Sequence, residues 1–361
     1  MNKLLTRPIL RINLEALKSN YNLLSKIAKN ATCSVVVKNN AYGLGAVEVS
    51  KLLYQEGCRN FWVAHAHEGE EIRNTVKDSE IYVLQGVGDD SIDLFIKNNL
   101  IPVINTKEQF LLWNNQLKPY VLHVDTGLNR YGLRDHDLEF ILSQKKELSH
   151  LKMIISHLAC ADDIGHFMNK YQRDNFERIS AKFNGVKRAL SASDGLFLGD
   201  KFTYDYVRAG AALYGINTAP YRENQMKPVI SIEAPVVQVE ILPLGAYAGY
   251  GITYRAHQEK KIAIISIGYA DGIPCSLKNI GKIWFKDSLG KLYESRVIGR
   301  ISMDLTICDI TQIPKNVVKI GSMASLINEH YTVDDMGRDA GTIGYEILSR
   351  LGNRYLRYYD E

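Results

Sequence analysis

The sequence has no CxxC pair and no histidine at zinc-ligand spacing from any of its five cysteines, Cys33, Cys58, Cys160, Cys275 and Cys308. That excludes a zinc finger or ribbon, and the odd, scattered count reads as reduced thiols. No cluster of metal ligands stands out, so no metal is expected. Basic tracts with interleaved aromatics are also missing, and a net charge of +4 over 361 residues is weak. Nucleic acid is therefore not an expected partner. No apolar run is long enough to span a membrane. Arg7 and Arg11 interrupt the opening "MNKLLTRPILRINLEALKSN" before it reaches signal-peptide length, so the expected location is the cytoplasm. Internal repeats and low-complexity segments are absent as well.

What remains is a globular composition, 46% hydrophobic and 23% charged, with length for a barrel-sized domain and a smaller one. After the amphipathic helix "INLEALKSNYNLLSKIAKN" come eight short apolar runs at helix-sized intervals. They are "SVVVK", "NFWVAHA", "EIYVLQ", "LIPVI", "YVLHVD", "MIISHLA", "KRALSAS" and "YDYVRAG". Eight strand–helix units point to a (β/α)8 barrel over residues 1–230. An open doubly wound sheet ranks second, because no GxGxxG follows a first strand. Beyond residue 230 the texture turns β-rich, with Gly and Asp-Gly turns and one short helical stretch, "AGTIGYEILSRL". The expected second domain is mainly β and covers 231–361, and the first ten or so residues are candidates to pack with it.

Active sites of such barrels collect at the C-terminal ends of the strands. Those ends carry Lys38, Arg130, His157, Ser193 and Arg208. The last two strand ends, "SASDG" and "RAGAALYG", offer a hydroxyl and glycine-freed N–H groups for an anion. A lysine across the mouth from a phosphate site suggests an aldehyde cofactor held as a Schiff base.

With "VVKNNAYGLG", "HVDTGLNRYGL", "SHLACADD", "YVRAGAALYG", "YGITYRA", "IGYADG" and "GRISMD" in order along nearly the whole chain, the sequence resembles the alanine racemase family. The resemblance implies pyridoxal 5′-phosphate, a barrel followed by a β domain, and a homodimer whose active sites use residues of both chains. It implies interconversion of L- and D-alanine, supplying D-alanine for peptidoglycan. Lys38 resembles the cofactor lysine and the base on one face of the substrate Cα. Tyr250 resembles the tyrosine that the partner supplies to the other face, with His157 and Arg208 placed to lower its proton affinity. Tyr42, Ser193, Gly210 and Ala211 match phosphate contacts, and Leu84 lines the cofactor pocket. Arg208 resembles the arginine that faces the pyridine nitrogen, where a cation makes the ring a weaker electron sink. Arg130 resembles the substrate-carboxylate residue, Met303 a pocket residue from the partner, and Tyr269 an entrance tyrosine. Asp304 is expected to be structural.

Three positions depart from the family pattern. His123 stands where many members have a lysine that carries a carbamate and holds the arginine, so activity independent of dissolved CO2 is expected. Asn353, with Tyr355 close by, stands where another phosphate-binding tyrosine is common, and neither is assigned. Leu44 replaces a common histidine. The alternative readings are a non-catalytic pyridoxal phosphate carrier, a related decarboxylase, or a racemase preferring another small amino acid such as serine. "YGITY" and "GRISMD" speak against the carrier, and Arg208 against the decarboxylase.

Overall fold

The computed structural model describes residues 6–144 and 147–360. It divides into two compact units, one of residues 16–227, the other of the opening segment to Glu15 together with Pro228 onward. The first strand, β1 (Ile9–Asn13), belongs to the latter.

The larger unit is built on eight parallel strands: β2 (Thr32–Val36), β3 (Asn60–Val63), β4 (Glu80–Val83), β5 (Leu100–Ile104), β6 (Tyr120–His123), β7 (Leu151–Ile155), β8 (Lys187–Ala189) and β9 (Tyr206–Ala209). Each of the eight apolar runs supplies one. Their order is β8-β7-β6-β5-β4-β3-β2-β9, a barrel closed except for the β8/β9 seam. At that seam two single hydrogen bonds replace a ladder, Arg208 N–H to Ser191 O and Asp205 N–H to Arg188 O, both 3.0 Å. The strands are apolar without alternation because both faces are covered, by helices outside and by packed side chains inside. Val36, Trp62, Tyr82, Val103, Met153 and Ala189 fill the interior. Trp62 stacks on Tyr82 at 4.3 Å, and its buried indole N–H donates to Ser34 Oγ at 2.8 Å, as a desolvated donor requires. Before β2, the helix Leu14–Ala28 buries Leu17, Tyr21, Leu24 and Ala28, one face at helical spacing.

Sequence and structure part company at the end of β2. The run "SVVVK" reads as strand through Lys38, yet the ladder stops at Val36. Val37 N–H still reaches Trp62 O at 2.8 Å, and the chain then turns away, for reasons given below.

The second unit is a β structure of β10 (Ile230–Leu242), β11 (Tyr247–Ala248), β12 (Tyr254–Arg255), β13 (Lys260–Ile265), β14 (Lys282–Lys286), β15 (Leu292–Val297), β16 (Thr306–Asp309), β17 (Met323–Ile327) and β18 (Leu356–Asp360). The long strand β10 pairs with β17 through its first half and with β13 through its second, changing register at Val236–Gln238. It thereby closes a ring, β10-β13-β16-β15-β14-β17. β1 lies antiparallel to β10 and parallel to β18, and Arg7 fastens it by donating to the carbonyls of Arg354 (3.0 Å) and Tyr355 (3.2 Å). Two helices follow β17, Val333–Ala340 and Gly344–Ser349. The first is capped by Thr332, which accepts from Asp335 N–H, and ends on Gly341 at φ 73°.

Among the described residues no helix is long and apolar enough to cross a membrane, and no cluster of three or more His, Cys, Asp or Glu side chains could hold a metal ion. All five cysteines are unbridged.

Candidate active site

Lys38 opens a turn that L-residues rarely make. Asn39, Asn40, Ala41 and Tyr42 all have positive φ, between 52° and 56°, followed by Gly43 at 86°. Four consecutive left-handed residues form about one left-handed helical turn, at a cost of about 1–2 kcal/mol for each residue that bears a Cβ. Asparagine tolerates the region best, which accounts for two of the four; Ala41 and Tyr42 are held there by tertiary contacts. Asn39 N–H donates to Glu68 Oε1 at 2.6 Å. Asn40 Oδ1 accepts from Ala46 N–H at 2.7 Å, starting the next helix. The Tyr42 ring lies 4.7 Å from that of Tyr214, whose hydroxyl donates to Val36 O at 2.8 Å.

The mouth so formed is rich in cations and neutral imidazoles. Burial, reinforced by the charge of Arg130, lowers the proton affinity of Lys38; Glu68 opposes this and Arg208 adds to it. Arg208 on β9 is 5% exposed, and its guanidinium meets no carboxylate among the described residues. Its guanidinium donates to the carbonyls of Ser156 (2.5 Å), Ala189 (2.8 Å) and Leu190 (3.2 Å) across the β8/β9 seam. Burial pushes it down to about 10, which leaves it charged at neutral pH.

His157, just past β7, is pushed down to about 3 by burial and by Arg208 and Arg130. His123, closing β6, is pushed down to about 4 by burial, Arg208 and Arg130. Its Nδ1 lies 2.8 Å from Asn105 Oδ1. The Asn105 amide nitrogen is committed to the carbonyls of Val103 (2.7 Å) and Leu84 (3.0 Å). The amide oxygen therefore faces the ring, Nδ1 carries the proton, and Nε2 is left as an acceptor. Arg130 is exposed on the loop after β6. That loop is shaped by Asp125, whose carboxylate takes the N–H groups of Gly127 and Asn129 at 3.0 and 3.1 Å.

Beside the seam lies a cradle. Ser193 Oγ accepts from Gly210 N–H (2.9 Å) and Ala212 N–H (3.2 Å). A Cβ on Gly210 would sit 2.9 Å from the Tyr42 hydroxyl, so the bare glycine keeps that hydroxyl open. Burial raises the Tyr42 phenol to about 12, making it a proton donor at neutral pH. Ala211 follows in a buried 3-10 turn, Ala211–Tyr214. Leu84, at the end of β4, and Tyr42 both pack on the barrel's interior cluster. A hydroxyl, glycine-freed backbone and nearby guanidinium charge form the donor set that a phosphate monoester requires. The amine of Lys38 supplies the partner for an aldehyde. The residues fit pyridoxal 5′-phosphate.

On the β unit, Tyr250 (72% exposed), Met303 (53%) and Tyr269 (44%) are surface side chains on loops held together by glycines. A Cβ on Gly299 would be 2.5 Å from Ala248 O, and one on Gly249 would be 3.0 Å from Arg300 N. The segments "AGYG" and "GRIS" thus lie in direct backbone contact. Tyr269 N–H donates to Ser302 O and Ala270 N–H to Met303 O, both 3.0 Å. Asp304 is paired with Arg354 at 2.8 Å, and Arg354 also meets buried Asp271 at 3.2 Å. Tyr355 is buried within this unit and donates its hydroxyl to Asp271 O at 2.8 Å, which commits it to the unit's interior; Asn353 is exposed.

The barrel mouth therefore collects Lys38, Tyr42, Leu84, His157, Ser193, Arg208, Gly210 and Ala211, with Arg130 on its rim. Sequence reading passed over Glu68, Asn105 and Tyr214. Glu68 in "HEGEEIR" reads as one of several surface acids. The pair Asn39–Asn40 ahead of two glycines was the available signal for a left-handed turn.

Residues 12–218 match the family described as alanine racemase, N-terminal domain, and residues 229–359 that of the alanine racemase C-terminal domain. The alanine racemase of Rhizobium meliloti is 38% identical over 97% of this chain and 96% of its own length. The biosynthetic alanine racemase of Agrobacterium fabrum is 37% identical over 97% and 93%. Among solved structures, alanine racemase from Bartonella henselae with covalently bound pyridoxal phosphate superposes with a TM-score of 0.92, at 33% identity, covering 98% of this chain and 99% of that one. Biosynthetic alanine racemase from Pseudomonas aeruginosa gives 0.90 at 27% identity, with coverage of 98% and 99%. A barrel and β unit of this build, matched along almost its entire length, place the chain in the alanine racemase family.

Proposed function

We propose that this protein interconverts L- and D-alanine with pyridoxal 5′-phosphate bound at the barrel mouth. The observation that carries this reading is an amine, Lys38, held where burial and two arginines weaken its hold on a proton, beside an anion cradle at the end of the paired strand β9 and not across the mouth from it. Bound pyridoxal 5′-phosphate supplies an aldehyde carbon that captures the amino group and a ring that withdraws electrons from the adjacent carbon.

Tyr42, Ser193, Gly210 and Ala211 would hold the phosphate, and Leu84 and His157 would line the space for the ring. The amine of Lys38 would remove a proton from Cα on one face or return one to it. Tyr250 from a second copy of the chain serves the other face. Arg208, a donor-only cation held by three carbonyls, would offer a ring nitrogen no lone pair to share a proton, so the bound cofactor would withdraw electrons more weakly and return of the proton to Cα would be favoured. Arg130 takes the substrate carboxylate, a task suited to a guanidinium fork, and the bare Nε2 of His123 is an acceptor facing that charged neighbourhood. Met303 and Tyr269 of the second copy narrow the pocket to a methyl side chain.

A two-fold dimer is supported by exposed apolar side chains on both units: Tyr250 and Ile252 on one, Ile164, Phe167 and Tyr171 on the other. Five unbridged cysteines suit a reducing compartment, the cytoplasm. The direct test is chiral chromatography of L-alanine incubated with the cofactor-loaded protein. Drift to an equimolar mixture, abolished by Lys38→Ala, is expected; L-alanine left unchanged by the wild type would refute the reading.

A further inference from the structure

We infer that Glu68 is a positioning residue for Lys38: its carboxylate ties the left-handed turn carrying the lysine to the loop that follows β3. The inference rests on the reading of Lys38 as the cofactor lysine. Glu68 Oε2 accepts from Ala64 N–H (2.6 Å) and His65 N–H (3.1 Å), while Oε1 accepts from Asn39 N–H at 2.6 Å. The His65 contact is ordinary. Glu68 is the third residue of the helix Ala66–Arg73, and a carboxylate there closes a capping box on the residue before the helix.

The contact with Asn39 has no role in that cap. Asn39 lies 29 residues upstream, on a different loop, and is the first of the four left-handed residues. An ionised carboxylate is a strong acceptor for backbone N–H groups, so it can hold an amide in a conformation that the chain would otherwise leave. Two fasteners consequently bracket the lysine. Upstream, Val37 N–H is fixed to Trp62 O at 2.8 Å; downstream, Asn39 N–H is fixed to Glu68. The turn is also held from within, by Ala41 N–H on Val37 O and Gly43 N–H on Asn39 O, both 2.9 Å, and farther along by Asn40 on Ala46 and Tyr42 on Tyr214; Glu68 is what ties it to the loop after β3. Without Glu68 the turn keeps its own backbone bonds but loses the tie between the lysine's downstream peptide and the loop after β3. The lysine's amine is then held less firmly beside the cradle, while Arg130 stays as it is.

Capping and positioning are separable by side-chain length. Glu68→Asp keeps an acid at the third helical position, able to serve the cap, but is one methylene too short to span to Asn39 as well. We would measure amide exchange in the cofactor-loaded protein by mass spectrometry, together with kcat and KM for L-alanine. Exchange over residues 38–45 should rise roughly tenfold, the loss of one net hydrogen bond, with exchange over 64–73 changed less than about threefold. In the same terms kcat should fall about tenfold and KM move less than about threefold.

Glu68→Gln retains the reach but has one acceptor oxygen, and should show the same ordering at smaller amplitude, so the readout survives if the aspartate variant does not fold. Wild-type exchange over 38–45, or faster exchange confined to 64–73, in whichever variant folds would overturn the inference. Borohydride reduction and peptide mapping of the wild type tests the underlying reading separately. A pyridoxyl group found on a residue other than Lys38 removes the proposed function and leaves the exchange comparison intact.

Discussion

Lowering the pH from 7 to 5 should leave the two imidazoles at the barrel mouth uncharged. With His123 held down to about 4 and His157 to about 3 by burial beside Arg208 and Arg130, roughly one-tenth of the first and one-hundredth of the second carry a proton at pH 5. An unperturbed histidine is almost wholly protonated there. Sign and window follow from linkage. Each ring is neutral in the folded protein but free to protonate near its ordinary value once unfolded. The stabilisation is complete above about 6.5 and is lost as pH falls toward 4 for His123 and toward 3 for His157.

The slope is on the order of 1 kcal/mol per pH unit per histidine, so together they account for about 2 kcal/mol per unit between pH 6 and 4.5. Histidine-labelled NMR reads the protonation states and the tautomer; urea denaturation of the wild type beside His123→Asn and His157→Gln reads the slope. His123 should report a proton on Nδ1 and none on Nε2 at pH 5, and each substitution should flatten the slope. A His123 ring that titrates above pH 6 would refute the reasoning about burial and the arginines, and with it the assignment of Nε2 as an acceptor.

Other consequences are as specific. Since His123 is a neutral ring where a carbamate would need a lysine amine, activity should be indifferent to dissolved CO2; an inactive CO2-stripped protein revived by bicarbonate contradicts this. Lys38→Ala and Tyr250→Phe should each be inactive alone. After mixing and subunit exchange they should recover about a quarter of wild-type activity, because half the dimers are mixed and each has one intact site; no recovery after proven exchange counts against shared sites. In Gly268→Ala the new Cβ would lie 2.3 and 2.4 Å from the carbonyl oxygens of Ser302 and Met303. Backbone cannot yield cheaply there, so thermal unfolding should show a loss of about 2 kcal/mol or more and kcat/KM should fall with it. Wild-type values would mean that the two loops are not locked together.

The barrel was legible because each strand is an apolar run buried on both faces, and the polar residue at its end needs only the strand assignment to be placed. Lys38, His157, Ser193 and Arg208 come into view that way. The β unit was legible in texture but not in closure. The ring depends on β10 changing partners at Val236–Gln238, which no local pattern encodes. The helix Val333–Ala340 was missed although Thr332, Asp335 and Gly341 spell its two caps, because the stretch carries few apolar residues. The turn after Lys38 lies furthest from propensity. Nothing about Ala41 or Tyr42 suggests left-handed backbone; Glu68 and Tyr214 impose it from distant points in the sequence.

The central claim is that Lys38 and Tyr250 serve opposite faces of Cα, one taking the proton and the other returning it. L-Alanine incubated in D2O with the cofactor-loaded protein tests it most directly, with α-proton exchange and D-alanine followed together by NMR and chiral chromatography. The wild type should give D-alanine bearing deuterium at Cα. Tyr250→Phe, incubated with each enantiomer in turn, should still exchange the α-proton of the one that Lys38 faces while forming almost none of the other. Undiminished inversion in Tyr250→Phe, or no exchange in the wild type, would contradict the two-base account.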